Sequence, residues 1–142
     1  MKHVGIDIVG ILHREGCSCV IFNHGEVTLC HERGVADLYR ILHTDSALLS
    51  GASVADKVIG KGAAALMVVG GVSSVYADVI SLPAIELFEA AGIPVEYAEL
   101  VPGIINRSGT SPCPVEALCW DCHTAAECIP QIEKFIQIQK SK

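Results

Sequence analysis

A cysteine that precedes a proline is the residue of this sequence whose position most directly favours nucleophilic chemistry. Pro114 is well placed as the first residue of a helix, so Cys113 is predicted to lie at that helix's N-terminus. A thiol at such a position has a lowered pKa and can be nucleophilic or redox-active. Glu116, three residues further on, could accept a proton as a general base, or could cap the helix. Cys113 and Glu116 are therefore candidate catalytic residues, with capping as the alternative for Glu116.

A cysteine-rich stretch follows, and its side chains are of types that bind metals. Residues 119–123 read Cys-Trp-Asp-Cys-His and match the haem-attachment signature of c-type cytochromes. Haem attachment needs export, and the N-terminus does not resemble a signal peptide, so we interpret the match as accidental. We predict no metal and no cofactor, with core packing of these thiols as the favoured interpretation. The sequence leaves open whether zinc is bound by Cys119, Cys122, His123 and Cys128.

Two lysines four residues apart are the first candidate for binding an anion. Both lie in a segment whose apolar residues have helical spacing, so Lys57 and Lys61 are predicted to share one helix face. Free N–H groups at a helix N-terminus favour anions as well. Gly60 and Gly62 would each cost about 1 kcal/mol relative to alanine inside that helix. Close approach of a ligand or of a neighbouring backbone would explain them. The alternative is that the lysines form a solvated edge and the glycines are packing contacts.

A polar loop is the second candidate for binding an anion. It runs from Asn106 to Thr110 and follows a predicted strand, where ligand-binding groups tend to lie. Arg107 offers a planar fork for a carboxylate or phosphate, and Thr110 offers a hydroxyl group. The alternative is an ordinary turn with a surface arginine.

The composition limits the partners that these residues could serve. The chain has 142 residues, of which 51% are apolar and 18% charged, which is enough for one domain over 1–142. The net charge is −6 and no run of Lys or Arg occurs, so we expect no nucleic-acid partner. No apolar stretch is long enough to span a bilayer, so we expect no membrane partner. Seven cysteines in no secreted pattern predict a cytoplasmic protein, and the apolar surplus favours a homo-oligomer.

The elements that must position these residues follow the order of an α/β fold. The predicted helices are residues 4–16, 35–42, 54–69 behind Ser53 as a cap, 82–91, a helix from about 114, and 125–139. The predicted strands are residues 17–22 and 26–31, which form a hairpin, followed by 72–80, 93–100 and a short return strand at 104–106. This order predicts a mixed sheet covered by helices on both faces.

Several separated motifs carry a family resemblance. Residues 55–65 read Ala-Asp-Lys-Val-Ile-Gly-Lys-Gly-Ala-Ala-Ala, 75–81 read Val-Tyr-Ala-Asp-Val-Ile-Ser, 100–110 read Leu-Val-Pro-Gly-Ile-Ile-Asn-Arg-Ser-Gly-Thr, and 113–116 read Cys-Pro-Val-Glu. In this order they resemble the family called domain of unknown function 1893, over about residues 4–118. That family is grouped with the cytidine-deaminase-like superfamily, so the resemblance implies a three-layer α/β/α sandwich around a mixed sheet of about five strands. It implies no reaction, because the family has no established activity.

The zinc-site residues of true deaminases are missing from the chain. Such a site needs a His or Cys ligand with a Glu two residues on at one helix start, and Pro-Cys-x-x-Cys at the next. Here the first helix offers Lys57, Gly60 and Lys61, and the next begins at residues 81–84 with Ser-Leu-Pro-Ala. We therefore predict that the deaminase zinc position binds no metal.

The sequence supports three hypotheses of function. The leading one is a zinc-free deaminase-like domain that binds a small anionic, nucleotide-like ligand. Its cleft would be formed by Asp56, Lys57, Lys61, Asn106, Arg107, Thr110 and Cys113. The second is a thiol enzyme or redox protein that works through Cys113, and the third is a non-catalytic module that forms a homo-oligomer through apolar surface. The sequence does not decide whether the chain is an enzyme.

Overall fold

The structure is a computed structural model, and it describes residues 7–32, 35–105 and 113–140. Within these residues the chain forms five strands, six α-helices and one 3₁₀ helix at Ser46–Leu48. The strands are β1 (Cys19–Asn23), β2 (Glu26–Cys30), β3 (Ser53–Ile59), β4 (Ser74–Ser81) and β5 (Val95–Val101). The α-helices are α1 (Ile8–Arg14), α2 (Ala36–Thr44), α3 (Lys61–Gly70), α4 (Leu82–Ala91), α5 (Pro114–Cys119) and α6 (Ala125–Lys140).

Strands β1 and β2 form the hairpin that the sequence predicted. Asn23 pairs with Glu26, so two residues make the turn between the strands. His24 has a φ of 53° and Gly25 has a φ of 76°, as both central residues of a type I′ turn require. This turn matches the twist of the flanking strands and so fixes their register.

The largest departure from the predicted elements lies at residues 53–59. They form strand β3, so the prediction of a helix capped by Ser53 is wrong for this part of the segment. The first four residues of β3 are all buried, and a strand that is buried on both faces lacks the alternation by which a half-exposed strand is recognised. Helix α3 begins only at Lys61. Its end is as predicted, because Gly71 forms a left-handed C-cap with a φ of 82°.

The sheet has the strand order β2-β1-β3-β4-β5. Strands β3, β4 and β5 are parallel to one another, whereas β1 is antiparallel to both of its neighbours. The predicted mixed sheet of five strands is therefore confirmed, but β3 takes the place of the return strand that was predicted at residues 104–106. Ile105 forms only an isolated bridge, and Asn106 lies outside the described residues.

Helices pack on both faces of the sheet, as the element order predicted. Leu12 of α1 packs with Val20 and Ala55 on one face. The neighbouring Val54 contributes to the larger core, which also contains Phe88 and residues from α2, α3, α5 and α6. Successive residues of a strand point to opposite faces, so the two clusters lie on opposite sides of the sheet. In the part of the chain that the structure describes, no helix is both long enough and apolar enough to cross a membrane.

Candidate functional site

A cavity of about 720 Å³ lies at the end of β3, beside the start of α3. Because β1 runs antiparallel to β3, the start of β1 and the end of β2 reach the same edge of the sheet. Residues from these three strands line the cavity together with residues of α2, α3 and α5. Ligands of α/β proteins bind outside the carboxyl ends of parallel strands, where neighbouring connections diverge. The cavity is therefore the candidate functional site.

Asp56 is a buried carboxyl group in the lining of this cavity. Only 7% of the residue is exposed, and its Oδ1 accepts a hydrogen bond of 3.2 Å from the Val58 N–H. Burial raises the pKa of Asp56 to about 7. The backbone N–H groups of Val58 and Lys57 and the Cys19 thiol donate hydrogen bonds that favour the carboxylate, but they offset the effect of burial only in part. Near neutral pH the group can therefore donate or accept a proton.

Three thiols near Asp56 belong to the hairpin edge of the cavity. Cys19 lies opposite Cys30 on one side and opposite Asp56 on the other, and Cys17 also lines the cavity. The hydrogen bond to Cys30, together with burial, raises the pKa of the Cys19 thiol well above its ordinary value. Cys19 is therefore a poor nucleophile in the folded protein.

Cys113 also lines the cavity, at the start of α5 as the sequence predicted. Its side chain is half-buried, and its backbone N–H donates to the carbonyl of Ile104 over 2.8 Å. The helix that follows has Pro114 as its first residue. The thiol is thus positioned where it could meet a molecule in the cavity.

The Glu116 carboxylate is buried among three hydrogen-bond donors. Its Oε2 accepts from the Lys61 backbone N–H over 2.7 Å and from the Ser81 hydroxyl over 2.5 Å, and its Oε1 accepts from the Ile104 N–H over 2.6 Å. Lys61 is the first residue of α3, and Ser81 is the N-cap of α4. Glu116 therefore caps α3 and holds the start of α4, whereas the sequence had suggested a cap on its own helix.

The two candidate lysines occupy different elements. Lys57 belongs to β3 and lines the cavity, whereas Lys61 begins α3, so the prediction that they share one helix face is wrong. The Lys61 side chain is buried, and its Nζ donates to the carbonyls of Trp120 and Cys122 over 3.0 Å and 2.5 Å. The structure therefore brings Lys57 to the cavity and engages Lys61 with the connection between α5 and α6.

The glycines beside Lys61 are required by protein packing. A Cβ at Gly62 would lie 2.3 Å from Cγ1 of Val115, which real Cβ atoms do not approach. A Cβ at Gly60 would lie 3.2 Å from the Glu116 carboxylate. Of the alternatives that the sequence raised for these glycines, the structure favours close side-chain neighbours from α5.

The polar loop that was predicted to bind an anion falls outside the described residues. This applies to Asn106, Arg107 and Thr110, which stay predictions. The residues on either side of the segment, Ile105 and Cys113, both line the cavity.

The C-terminal cysteines meet in space. Cys119 Sγ lies 4.0 Å from the carbonyl oxygen of Cys128, and the Cys122 and Cys128 thiols donate to the carbonyls of Glu127 and Thr124, each over 3.5 Å. The backbone N–H of His123 donates to Glu127 Oε1 over 2.7 Å. Over residues 7–32, 35–105 and 113–140, no group of three or more His, Cys, Asp or Glu side chains is arranged to hold a metal ion.

Asp37 is a residue of the site that the sequence analysis missed. Its Oδ2 accepts from the backbone N–H groups of His31 and Glu32 over 3.1 Å and 3.0 Å, and its Oδ1 accepts from Arg40 over 2.8 Å. These bonds hold the end of β2 where Glu32 lines the cavity. The available signal was an acidic residue in the first turn of a predicted helix, where a carboxylate meets free N–H groups.

Comparison with known proteins places the chain in a family. A family model described as a domain of unknown function, DUF1893, matches residues 7–136, which confirms the resemblance carried by the motifs. The crystal structure of a DUF1893 family protein (TM1506) from Thermotoga maritima has the same fold, with a TM-score of 0.82 and 23% sequence identity over 94% of this chain and 95% of that chain. No curated protein matches the sequence. The chain belongs to the DUF1893 family.

Proposed function

We propose that the cavity beside β3 binds a small anionic, nucleotide-like ligand, on a zinc-free scaffold of the cytidine-deaminase-like type. The observation that carries the proposal is the cavity itself, with its volume of about 720 Å³ and the buried Asp56 in its lining. Small-molecule sites in proteins have volumes of about 300–1,000 Å³ and combine apolar walls with a few polar groups. Here Val35, Leu38 and Val58 supply apolar wall.

Asp56 suits the recognition of a polar heterocycle. A carboxyl group with a pKa of about 7 is present in both protonation states near neutral pH. The neutral form presents a donor and an acceptor side by side, as the edge of a nucleobase does. The cavity can therefore hold such an edge without leaving a buried polar group unpaired.

Two features of the cavity favour a negatively charged group on the ligand. Lys57 supplies a cation from the end of β3. Gly62 and Ala63, the second and third residues of α3, line the cavity, and backbone N–H groups at these positions have no acceptor within their own helix. A phosphate or carboxylate satisfies such groups and interacts favourably with the helix dipole.

The zinc-free part of the proposal rests on Glu116. The family resemblance implies that a deaminase zinc site would lie between the starts of two helices, which here are those of α3 and α4. The Glu116 carboxylate accepts hydrogen bonds from both starts, through the Lys61 N–H and the Ser81 hydroxyl. Neither start carries a His or Cys ligand, so these residues do not fit a zinc ion. A fixed carboxylate supplies the negative charge that the two helix N-termini favour.

The proposal is tested with a ligand panel. Thermal-shift measurements with nucleosides, nucleoside monophosphates and sugar phosphates should show stabilisation of the wild type by a phosphorylated compound. The variant Lys57→Gln should then weaken binding of that compound by about tenfold or more, because a charge-assisted hydrogen bond contributes about 1.5–3 kcal/mol. Asp56→Asn should weaken binding of that compound by a similar factor, through the loss of contacts with its nucleoside part.

Two exposed substitutions serve as matched controls. Asp45→Asn and Lys134→Gln make the same chemical changes on residues that are exposed and do not line the cavity. They should leave the dissociation constant unchanged. The proposal fails if no compound stabilises the wild type, or if the controls weaken binding as much as Lys57→Gln and Asp56→Asn do.

A thiol reaction at Cys113 is the second candidate function. The observation in its favour is that a half-buried thiol at the start of α5 lines the same cavity. The three hydrogen bonds that Glu116 accepts support a structural role for this carboxylate rather than a role as base for Cys113. An active thiol predicts that iodoacetamide alkylates Cys113 with a midpoint well below the ordinary thiol pKa of about 8.5. A midpoint at the ordinary value would contradict this candidate.

A further inference from the structure

A second group of nucleophilic side chains lies where α5 meets α6, apart from the lining of the cavity. Cys119 ends α5, Cys122 lies in the connection, and Cys128 is the fourth residue of α6. Cys119 and Cys128 are fully buried, whereas the Cys122 side chain is half-buried. One thiol of the group is therefore within reach of a small solute, and two are protected from it.

The three thiols are close neighbours. Cys119 Sγ lies 4.0 Å from the carbonyl oxygen of Cys128. Cys122 Sγ donates to the carbonyl of Glu127, the residue before Cys128, and Cys128 Sγ donates to the carbonyl of Thr124, two residues after Cys122, each over 3.5 Å. Each of these two thiols is thus held against the backbone beside the other, although they are six residues apart in the chain.

A positive charge lies beside these thiols. The Lys61 ammonium group donates to the carbonyls of Trp120 and Cys122. Its charge lowers the pKa of each of the three thiols, but burial and the neighbouring Cys128 keep the pKa of Cys122 above its ordinary value. The interaction with Cys119 and burial likewise raise the pKa of Cys128, so that only the pKa of Cys119 is lowered. Thiolates are the reactive form of cysteine toward peroxides and disulfides.

We propose that Cys122 and Cys128 form a reversible disulfide when the protein meets a hydroperoxide. The Cys122 thiolate attacks one peroxide oxygen, the O–O bond breaks, and Cys122 becomes a sulfenic acid while a water or alcohol leaves. The Cys128 sulfur then attacks the Cys122 sulfur, which forms the S–S bond and releases a second water. With hydrogen peroxide, two thiols and one peroxide give one disulfide and two waters, so two electrons pass from sulfur to oxygen.

The exposure of the three thiols explains the choice of pair. Cys122 is the residue that an oxidant can reach, and Cys128 is held beside it by the contacts with Glu127 and Thr124. Cys119 lies against the backbone of Cys128 but is fully buried, so an oxidant cannot reach it to start the reaction. The site is independent of the proposed ligand, since none of these three cysteines lines the cavity.

The reaction is tested on the full reduced chain with hydrogen peroxide. After oxidation, free thiols are alkylated under denaturing conditions and the chain is cut before Asp121 and after Glu127, which separates the three cysteines into three peptides. We expect a linked pair of peptides that contains Cys122 and Cys128, and an intact mass lower by two hydrogen atoms. Dithiothreitol should restore both free thiols.

Variants distinguish this pair from general thiol oxidation. Cys122→Ser should abolish the linked peptides, and Cys17→Ser, at a buried cysteine on the cavity side, should leave them unchanged. The mapping of the wild type needs no variant, so a variant that fails to fold does not decide the result. The proposal is overturned if all three thiols remain free, if the link joins another pair, or if oxidation stops at sulfinic acid.

Discussion

Asp56 combines two properties that seldom occur together at one aspartate. It is almost completely buried, and it lines a cavity large enough for a small molecule. The hydrogen bonds from the Val58 N–H and the Cys19 thiol only partly offset the cost of burying its charge, so its pKa is raised to about 7. A carboxyl group in this state destabilises the folded protein at high pH and is available for proton exchange with a ligand.

The raised pKa of Asp56 predicts how stability changes with pH. In the folded state the group holds its proton up to about pH 7, whereas in the unfolded chain it loses the proton near its ordinary pKa. Stability is therefore lost as pH rises through this window. Relative to Asp56→Asn, the free energy of unfolding of the wild type should fall by about 2–3 kcal/mol between pH 5 and pH 8. Urea denaturation of both proteins at the two pH values measures this difference.

The exposed Asp45 provides the matched control for this prediction. Asp45→Asn makes the same substitution at the end of α2, where the side chain makes no capping hydrogen bond to the following 3₁₀ helix. The difference between wild type and this variant should be constant with pH. A constant difference for Asp56→Asn as well would show that Asp56 is not held in its neutral form.

At the scale of elements, Glu116 joins four parts of the fold. It belongs to α5, and its carboxylate binds the first residue of α3, the N-cap of α4 and the backbone at Ile104 after β5. The bonds from Lys61 and Ser81 are buried, that from Ile104 is partly buried, and only 2% of Glu116 is exposed. The arrangement sets the starts of α3 and α4 relative to each other and thereby shapes one side of the cavity.

Removal of the negative charge of Glu116 should therefore loosen several elements at once. Glu116→Gln keeps the shape but presents an amide N–H₂ group to backbone or hydroxyl donors. We expect a loss of about 2–4 kcal/mol in the free energy of unfolding, since hydrogen bonds to charged groups contribute about 1.5–3 kcal/mol each and a buried donor is left unpaired. Urea denaturation measures the loss.

An exposed glutamate on α4 provides the control for the Glu116→Gln substitution. Glu86→Gln changes an exposed residue and should alter stability by less than about 0.5 kcal/mol. If Glu116→Gln is as mild as Glu86→Gln, the carboxylate does not hold these helix starts together.

The sequence predicted those elements whose boundaries are marked by local chemistry. The hairpin turn at His24-Gly25, the Gly71 cap of α3 and the Pro83 start of α4 all follow from backbone preferences of single residues. Strand β3 was missed because both of its faces are buried, and burial depends on what packs against it.

The candidate site was only partly predictable, for a similar reason. Asp56 and Lys57 both line the cavity, but they lie on strand β3 where a helix was predicted. The positions of Lys61 and Glu116 depend on a contact between residues 55 positions apart. No local sequence pattern indicates such a contact, because the residues at a helix start can be the same whether or not a distant carboxylate caps that helix. The closeness of Cys119, Cys122 and Cys128 is likewise a property of the fold.

At the scale of the whole molecule, α3 separates two sites of different chemistry. Its start borders the cavity through Gly62, while the Lys61 ammonium group donates to the backbone carbonyls of Trp120 and Cys122 between α5 and α6. The redox reaction at Cys122 and the binding of a ligand are tested by separate measurements, and either can fail alone. The expected homo-oligomer stays a prediction, which sedimentation velocity over a range of concentrations would measure.

The most direct test of ligand binding in the cavity is to map the bound probe on the protein. Titration of the ¹⁵N-labelled chain with the four ribonucleoside 5′-monophosphates reports each backbone N–H group separately by NMR. The account predicts saturable shifts for at least one of them, largest at Lys57, Val58, Gly62 and Ala63, which line the cavity. Helix α6, none of whose residues lines the cavity, should show little change. The absence of saturable shifts, or shifts centred on α6, would contradict the account.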